Sequence, residues 1–251
     1  MPSIFDTPEL NARLFFPRPD TSTPPPGALD TLIEVAPGVR LHLRTHPAPA
    51  ARVVVLLFHG NGEVVADYDA AAPHFAAAGA RLAVVDYRGY GRSEGTPMLR
   101  TCLADAHLVA RTVRAGASLP VVIMGRSLGS ACAAELAAAF PAPAGVILES
   151  GFTDLRGFVL RRGLTVEGSF TPDDVTVFDP IHKLRACSAP VLVLHGAMDR
   201  LIAPEEGQAA HDAVGATDKE LVLIPGRGHN DVSFHPLYWE ALRAFVARVG
   251  G

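Results

Sequence analysis

Residues 121–129 read VVIMGRSLG, an apolar run followed at once by a glycine–x–serine–x–glycine pattern. The run at 121–124 predicts a strand buried on both faces. The alanine-rich residues 128–140 predict a helix that Pro141 ends. A serine at a sharp turn between such a strand and such a helix projects its hydroxyl above the edge of a sheet. The stretch therefore predicts an α/β architecture and makes Ser127 a candidate nucleophile.

The same pattern occurs a second time, as GRSEG at residues 91–95. There the preceding predicted strand, 81–86, ends several residues earlier, and a loop containing Pro97 follows instead of a helix. The required order of strand, turn and helix is absent, so Ser93 is interpreted as part of a glycine-rich loop. The pattern alone is weak, and its position in the chain favours Ser127.

Strand and helix patterns alternate on both sides of this stretch. Besides 121–124, the predicted strands are 31–35, 39–46, 52–58, 81–86, 145–149, 191–195 and 220–224, and the further predicted helices are 64–78, 99–115, 204–214 and 235–249. The first two strands predict an antiparallel pair. The rest predict a mostly parallel central sheet, about eight strands in all, with helices on both faces. Ligands of such sheets bind at the edge where the parallel strands end.

Two segments depart from this rhythm. Residues 1–30 are rich in proline and predict an irregular N-terminal arm with a short turn near residues 11–15. We expect residues 31–251 to form a single domain. Within it, residues 152–189 show no clean strand, and an insertion of this length is typical of a lid over a pocket. A connecting excursion that only packs on the surface is the alternative.

Composition excludes several classes of protein. The 251 residues are 49% hydrophobic and 19% charged, with a net charge of -4, which is typical of a globular chain without a nucleic-acid-binding face. The three cysteines, Cys102, Cys132 and Cys187, show no metal or disulfide spacing. No signal peptide and no apolar run long enough for a membrane span is readable, so we expect a cytoplasmic protein. The oligomeric state is unknown from sequence.

The candidate general base comes from the histidines that follow Ser127. They are His182, His195, His211, His229 and His235. Of these, His229 lies in a loop just after a predicted buried strand, which places its imidazole at the sheet edge near Ser127. His195 ends a strand and is interpreted as structural, and His235 is expected to open the last helix.

The candidate acid is Asp199, which follows the predicted strand 191–195 by a short loop. Its carboxylate would orient the His229 imidazole and stabilise the imidazolium. Asp231 and Glu149 are rivals. Asp231 is too close to His229 in sequence to orient the imidazole from behind, whereas Glu149 ends the preceding strand and stays a possible acid.

An oxyanion hole requires two backbone amides. One is expected from Leu128, directly after the nucleophile. The other is expected from the loop HGNGE at residues 59–63, from either Asn61 or Gly62, and the sequence does not decide between them. A glycine-rich loop that opens a helix can instead bind phosphate, but the pattern GxxxxGK[ST] is absent.

Five motifs follow one another along roughly residues 30–250. They are residues 59–62, 86–95, 125–129, 195–199 and 228–231. Together they resemble the α/β-hydrolase superfamily, and within it the small branch of depalmitoylases and lysophospholipid hydrolases that includes many uncharacterised bacterial members. The resemblance implies the α/β-hydrolase fold, a Ser–His–Asp triad, an acyl-enzyme intermediate and no metal or organic cofactor.

Three functions follow as hypotheses. The first is a serine hydrolase that cleaves a carboxylic ester or thioester of a small molecule. The second is a peptidase or amidase on the same triad, in which Glu63, Glu149 or Asp154 binds the amino terminus of the substrate. The third is a binding protein that uses a hydrolase scaffold without catalysis.

Overall fold

The computed structural model describes residues 3–139, 143–164 and 169–251. Its eight strands are β1 (Leu29–Ala36), β2 (Val39–Thr45), β3 (Val53–Phe58), β4 (Ala80–Val85), β5 (Val121–Arg126), β6 (Gly145–Glu149), β7 (Val191–Gly196) and β8 (Lys219–Ile224). They form one sheet in the order β1-β2-β4-β3-β5-β6-β7-β8. β2 pairs antiparallel with both β1 and β4, and the remaining pairs are parallel. The predicted α/β fold with a mostly parallel sheet of eight strands is confirmed.

Nine α-helices connect and cover the strands in the described part of the chain. They are α1 (Pro8–Leu14), α2 (Ala72–Ala77), α3 (Leu99–Gly116), α4 (Ser130–Ala139), α5 (Leu155–Arg161), α6 (Asp173–Phe178), α7 (Pro180–Arg185), α8 (Pro204–Ala213) and α9 (Pro236–Val249). The predicted stop of a helix at Pro141 lies outside the described residues. Within the described residues, every helix is too short or too polar to cross a bilayer.

The sheet has an apolar core on each face. Val54, Leu56 and Phe58 of β3 pack in one hydrophobic cluster, and the alternate residues Val55 and Leu57 pack in the other. Successive side chains of a strand point to opposite faces, so a strand covered by helices on both sides must be apolar throughout. This requirement explains the unbroken apolar runs in the sequence.

The helix predicted over residues 64–78 is wrong as a single element. The chain instead forms a short 3₁₀ turn, Val65–Tyr68, and then α2 from Ala72. Pro73 is the reason, because an uninterrupted helix would need an amide hydrogen at that position, which proline lacks. Proline is tolerated in the first turn of a helix, and α2 places it there.

The N-terminal arm is more regular than the sequence interpretation expected. Instead of a turn near residues 11–15, the arm forms α1. Thr7 caps this helix, since its hydroxyl accepts a hydrogen bond from the Leu10 amide at 3.3 Å. Leu10 and Leu14 are buried against the body of the protein. The Thr–Pro pair at its start is the sequence signal for this helix.

Within the predicted insertion, 152–189, the described residues form the three short helices α5, α6 and α7 and contribute no strand to the sheet. Residues 165–168 of this segment lie outside the described part of the chain. Phe152 and Phe158 stack with their ring centroids 5.6 Å apart. The insertion therefore presents aromatic rings near the carboxyl ends of the parallel strands.

Candidate active site

Ser127 stands at the turn between β5 and α4 in a strained conformation. Its φ of 50° lies in the left-handed region of backbone conformations, which residues other than glycine rarely adopt. The turn needs glycine on both sides. A Cβ at Gly125 would collide with the backbone of Gly129, and one at Gly129 would collide with the carbonyl of Phe58. The close approach of α4 to β3 and β5 thus depends on these two glycines.

Ser93, in the second copy of the pattern, lies in a different environment. Its hydroxyl accepts a hydrogen bond from the His42 amide at 2.8 Å and donates one to the Asp86 carbonyl at 3.0 Å. Both contacts tie a surface loop to the strands beside it. This arrangement agrees with the interpretation of Ser93 as a loop residue.

The structure brings Ser127, His229 and Asp199 together in one chain of contacts. His229 lies in the loop after β8, and its Nε2 is 2.9 Å from Ser127 Oγ. Its Nδ1 is 2.7 Å from Asp199 Oδ2. His229 and Asp199 are both buried, so solvent competes weakly with these contacts. The arrangement orients one imidazole between a hydroxyl and a carboxylate.

Asp199 is held as an anion by its surroundings. Its Oδ1 accepts hydrogen bonds from the amides of Leu201 at 2.8 Å and Ile202 at 2.9 Å. Burial alone would raise the pKa of Asp199, but hydrogen bonds from His195, His229 and the Ile202 amide lower it well below its ordinary value. An acid in this state can stabilise an imidazolium on His229.

The two rival acids are engaged elsewhere. Asp231 Oδ1 accepts a hydrogen bond from the Gly228 amide at 2.6 Å, within its own loop. Glu149 Oε2 accepts one from the Tyr238 hydroxyl at 2.6 Å, and its Oε1 is 3.1 Å from Arg126 Nε. Among the candidate acids, Asp199 is therefore the one in contact with the imidazole ring.

The remaining candidate histidines have separate positions, and His182 lies on α7. His211 lies beside Asp212 on α8, with its Nδ1 3.0 Å from Asp212 Oδ1. His235 caps α9 by accepting a hydrogen bond from the Leu237 amide at 3.2 Å, as expected for the residue that opens the last helix. His195 is fully buried next to Asp199.

The two candidates for the second oxyanion donor differ in position. Asn61 lines the cavity beside Ser127 together with Leu128, whereas Gly62 is not part of that lining among the described residues. The Asn61 side chain is fixed from the N-terminal arm, because its Oδ1 accepts from the Phe16 amide at 2.9 Å and its Nδ2 donates to the Leu14 carbonyl at 2.5 Å. Because Asn61 lines the cavity and Gly62 does not, the backbone amide of Asn61 is the stronger of the two predictions for the second donor.

Arg126, the residue before the nucleophile, connects two loops of the site and the end of β6. Its Nη1 contacts Glu63, its Nε lies 3.1 Å from Glu149 Oε1, and its Nη2 donates to Asn230 Oδ1 at 2.7 Å. Burial alone would lower the pKa of Arg126, but the carboxylates of Glu149 and Glu63 raise it above its ordinary value. Burial also raises the pKa of Glu149. Sequence reasoning did not find this network.

A cavity of about 350 Å³ opens above Ser127, and we call it the first cavity. Its apolar lining consists of Leu14, Phe16, Leu128, Phe152, Phe158, Leu164, Leu201 and Ile202. The N-terminal arm supplies the first two of these residues, and the insertion supplies three. Its charged lining comprises Arg13, Arg126, Arg162 and Glu63. In the described part of the chain, no group of three or more metal-ligating side chains converges on a point.

Comparisons with known proteins show which proteins the chain resembles. The family model described as serine aminopeptidase, S33, matches residues 49–171 and 177–232. Alpha/beta hydrolase domain-containing protein 17B of Xenopus laevis is 31% identical over 209 residues, and its Homo sapiens counterpart is 30% identical over 210 residues. Each alignment covers 80% of this chain and 68% of the relative. The resemblance to the α/β-hydrolase superfamily is confirmed.

Solved structures show the same fold at lower sequence identity. An esterase of Pyrococcus furiosus superposes with a TM-score of 0.76 and 15% identity. The match covers 94% of this chain and 99% of the esterase. At this identity the likeness establishes the architecture, and function has to be argued from the residues of the site.

Proposed function

The chain belongs to the serine aminopeptidase S33 family and is an α/β-hydrolase enzyme, and we propose that it hydrolyses a carboxylic ester or thioester of a small molecule. The observation that carries this proposal is the 2.9 Å contact between Ser127 Oγ and His229 Nε2, backed by the 2.7 Å contact to Asp199. A hydroxyl, a base and an acid in this order form the arrangement that activates a serine nucleophile.

Acylation begins when Ser127 Oγ attacks the carbonyl carbon of the substrate. The hydroxyl proton passes to His229 Nε2, and the imidazolium that results is stabilised by Asp199. The carbonyl oxygen becomes an oxyanion that accepts hydrogen bonds from the amides of Leu128 and Asn61. When the tetrahedral intermediate collapses, the bond to the leaving oxygen or sulfur breaks, and that atom takes the proton from His229.

Deacylation uses the same groups in reverse. A water molecule attacks the acyl carbon while His229 accepts one of its protons. The bond between the acyl carbon and Ser127 Oγ then breaks, and Oγ recovers the proton from His229. The products are a carboxylic acid and free enzyme, so no cofactor or redox partner enters the balance.

The charges around the first cavity favour an ester over the amino terminus of a peptide. Three arginines and one carboxylate, that of Glu63, line this cavity among the described residues. Glu63 already contacts Arg126 and accepts hydrogen bonds from the Gly60 amide and the Tyr68 hydroxyl, both at 2.7 Å. An incoming ammonium group would meet excess positive charge and no unpaired carboxylate in this lining.

The other two carboxylates suggested for binding an amino terminus are also engaged. Glu149 contacts Arg126 and Tyr238. Asp154 caps α5 by accepting a hydrogen bond from the Gly157 amide at 2.7 Å. These contacts therefore favour the ester hypothesis over the peptidase hypothesis.

The test compares two substrate series on the purified enzyme. We expect p-nitrophenyl esters of short to medium acyl chains to be hydrolysed, and aminoacyl p-nitroanilides of equal size to be hydrolysed far more slowly. The Ser127→Ala variant serves as the blank for both series. Preferential turnover of the aminoacyl anilides would overturn the proposal in favour of an aminopeptidase.

A further inference from the structure

A second cavity of about 750 Å³ lies next to the first. Glu63, Arg126 and Asn230 line both cavities. We call these three residues the Arg126 bridge, because Arg126 contacts Glu63 on one side and donates to Asn230 Oδ1 at 2.7 Å on the other. The bridge runs from the loop after β3 to the loop after β8, between the two cavities.

The three residues of the bridge differ in their exposure to solvent. The Arg126 side chain is 11% exposed and the Glu63 side chain 23% exposed, and Asn230 is exposed. Because the two cavities share these lining residues, a molecule bound over Ser127 that passes over the exposed Asn230 would reach the second cavity.

Five aromatic residues, together with polar ones, line the second cavity. Tyr68, Phe75, Tyr238 and Trp239 line it, and Phe234, with 74% of its surface exposed, lies at its rim. Tyr238 and Trp239 meet edge to face with ring centroids 4.8 Å apart. Aromatic surfaces in a cleft of this size favour a flat apolar group. An exposed phenylalanine at the rim adds apolar surface that a ligand would cover.

The charges of the second cavity are unsuited to an anion. Its lining contains the carboxylates Glu63, Asp67 and Glu149. Among its described lining residues, Arg126 is the one guanidinium, and it already contacts both Glu63 and Glu149. A phosphate or carboxylate placed here would face three carboxylates and an arginine that is already paired.

The chemistry at Ser127 indicates whether the leaving group or the acyl chain of the substrate extends toward the second cavity. The leaving atom has to lie near His229 Nε2, because that nitrogen returns the proton when the bond to the acyl carbon breaks. His229 itself lines the first cavity, and Asn230, the next residue, lines both cavities and so connects the site of the leaving atom to the second. The insertion and Ile202 line the first cavity and not the second, which leaves them to contact the acyl chain.

We propose that the second cavity is the leaving-group subsite and that it takes the uncharged aromatic part of an alcohol or thiol. The inference rests on the proposed function and names the substrate class of the same site. It assigns the acyl chain to the first cavity and the aromatic alcohol or thiol to the second.

The experiment uses two acetate esters whose leaving alcohols have similar acidity, ethyl acetate and 2-(2-naphthyl)ethyl acetate. The measured quantity is the ratio of kcat/KM for the naphthyl ester to kcat/KM for ethyl acetate. Ala70→Trp fills the second cavity, since Ala70 lines it, and Phe234→Ala removes its rim. Ala77→Trp is the matched control, because Ala77 is exposed on α2 and outside the lining.

We expect the ratio to fall about tenfold in both cavity variants and to stay unchanged in the control, a size typical of losing buried apolar contact. An unchanged ratio in both cavity variants, with the wild type active on both esters, overturns the subsite alone. If the wild type hydrolyses neither of the two esters, the proposed function is overturned, and the subsite with it. Faster cleavage of esters with anionic leaving groups than of the naphthyl ester also contradicts the inference.

Discussion

His195 Nε2 lies 3.4 Å from Asp199 Oδ2, the oxygen that contacts the ring of His229. The same nitrogen is 3.0 Å from the carbonyl oxygen of Ile202, whose amide donates to the other oxygen of Asp199. Because Nε2 faces two acceptors, we infer that it carries the hydrogen. His195 thus holds the turn that presents Asp199, and we interpret it as a positioning residue for the acid.

Replacing His195 by leucine is expected to lower kcat about tenfold or more while KM stays nearly constant. The reason is that the substitution removes a donor beside Asp199 and leaves the substrate cavities intact. His195→Gln keeps a donor and should restore most of kcat. Steady-state kinetics on one ester checks this, and a purely structural role would instead give equal kcat values for the two variants.

Breaking the network at Arg126 is expected to be costly. In Arg126→Met, the carboxylates of Glu63 and Glu149 lose their cation in a largely buried place, and we expect a loss of about 3 kcal/mol in the free energy of unfolding. Urea denaturation measures the change. Arg40→Met is the matched control, because it breaks the exposed pair with Glu94 and should leave the urea midpoint unchanged. Equal effects of the two substitutions would contradict the structural role of Arg126.

The acyl-chain preference is expected to depend on Phe158, which lines the first cavity from α5. Phe158→Trp should narrow that cavity and lower kcat/KM for an octanoyl ester roughly tenfold relative to an acetyl ester. Leu160→Trp on the same helix is the control, since Leu160 is 50% exposed and lies outside the lining. If both variants keep the wild-type ratio of kcat/KM for the octanoyl ester to that for the acetyl ester, the insertion does not form a wall of the acyl site.

Stability toward acid is expected to depend on Asp86. Burial alone would raise the pKa of Asp86, but contacts with His42 and His59 lower it from 3.8 to about 2. The charged form therefore stabilises the fold above pH 4, and this contribution of about 2 kcal/mol is lost as the pH falls through 2.

Urea denaturation of the wild type and Asp86→Asn between pH 2 and pH 6 checks this dependence. The wild type should be the more stable protein above pH 4, and the gap should narrow toward pH 2. Asp212→Asn, at an exposed carboxylate, is expected to follow the wild type. A gap that stays constant over the whole range would show that the charge of Asp86 is not responsible.

Much of the fold could be predicted because the parallel strands are covered on both faces. Residues 121–124 and 191–194 had to be apolar throughout, and the sequence shows such runs directly. Pro73 lacks an amide hydrogen, which signals the interruption, but the apolar periodicity over residues 64–78 continues across it and predicts a single helix. Single residues set the boundary of a helix, whereas apolar periodicity is a property of a whole stretch and does not show where the helix begins.

The candidate site was predictable where chain order restricts geometry, and less so where side chains meet across loops. Ser127, Asp199 and His229 each follow a strand of one sheet, so their convergence follows from topology. Phe16 reaches the first cavity from the N-terminal arm, and no local pattern indicates where such an arm packs. Arg126 carried a weak signal, as a charged residue beside acidic groups at neighbouring strand ends.

The identity of the nucleophile is tested most directly by labelling with a fluorophosphonate probe and mapping the labelled peptide by mass spectrometry. We predict one labelled site, Ser127, in the wild type, no labelling of Ser127→Ala, and wild-type labelling of Ser93→Ala. Labelling of Ser127→Ala at the wild-type rate, or modification of Ser93 in the wild type, would contradict the assignment of Ser127 as the nucleophile.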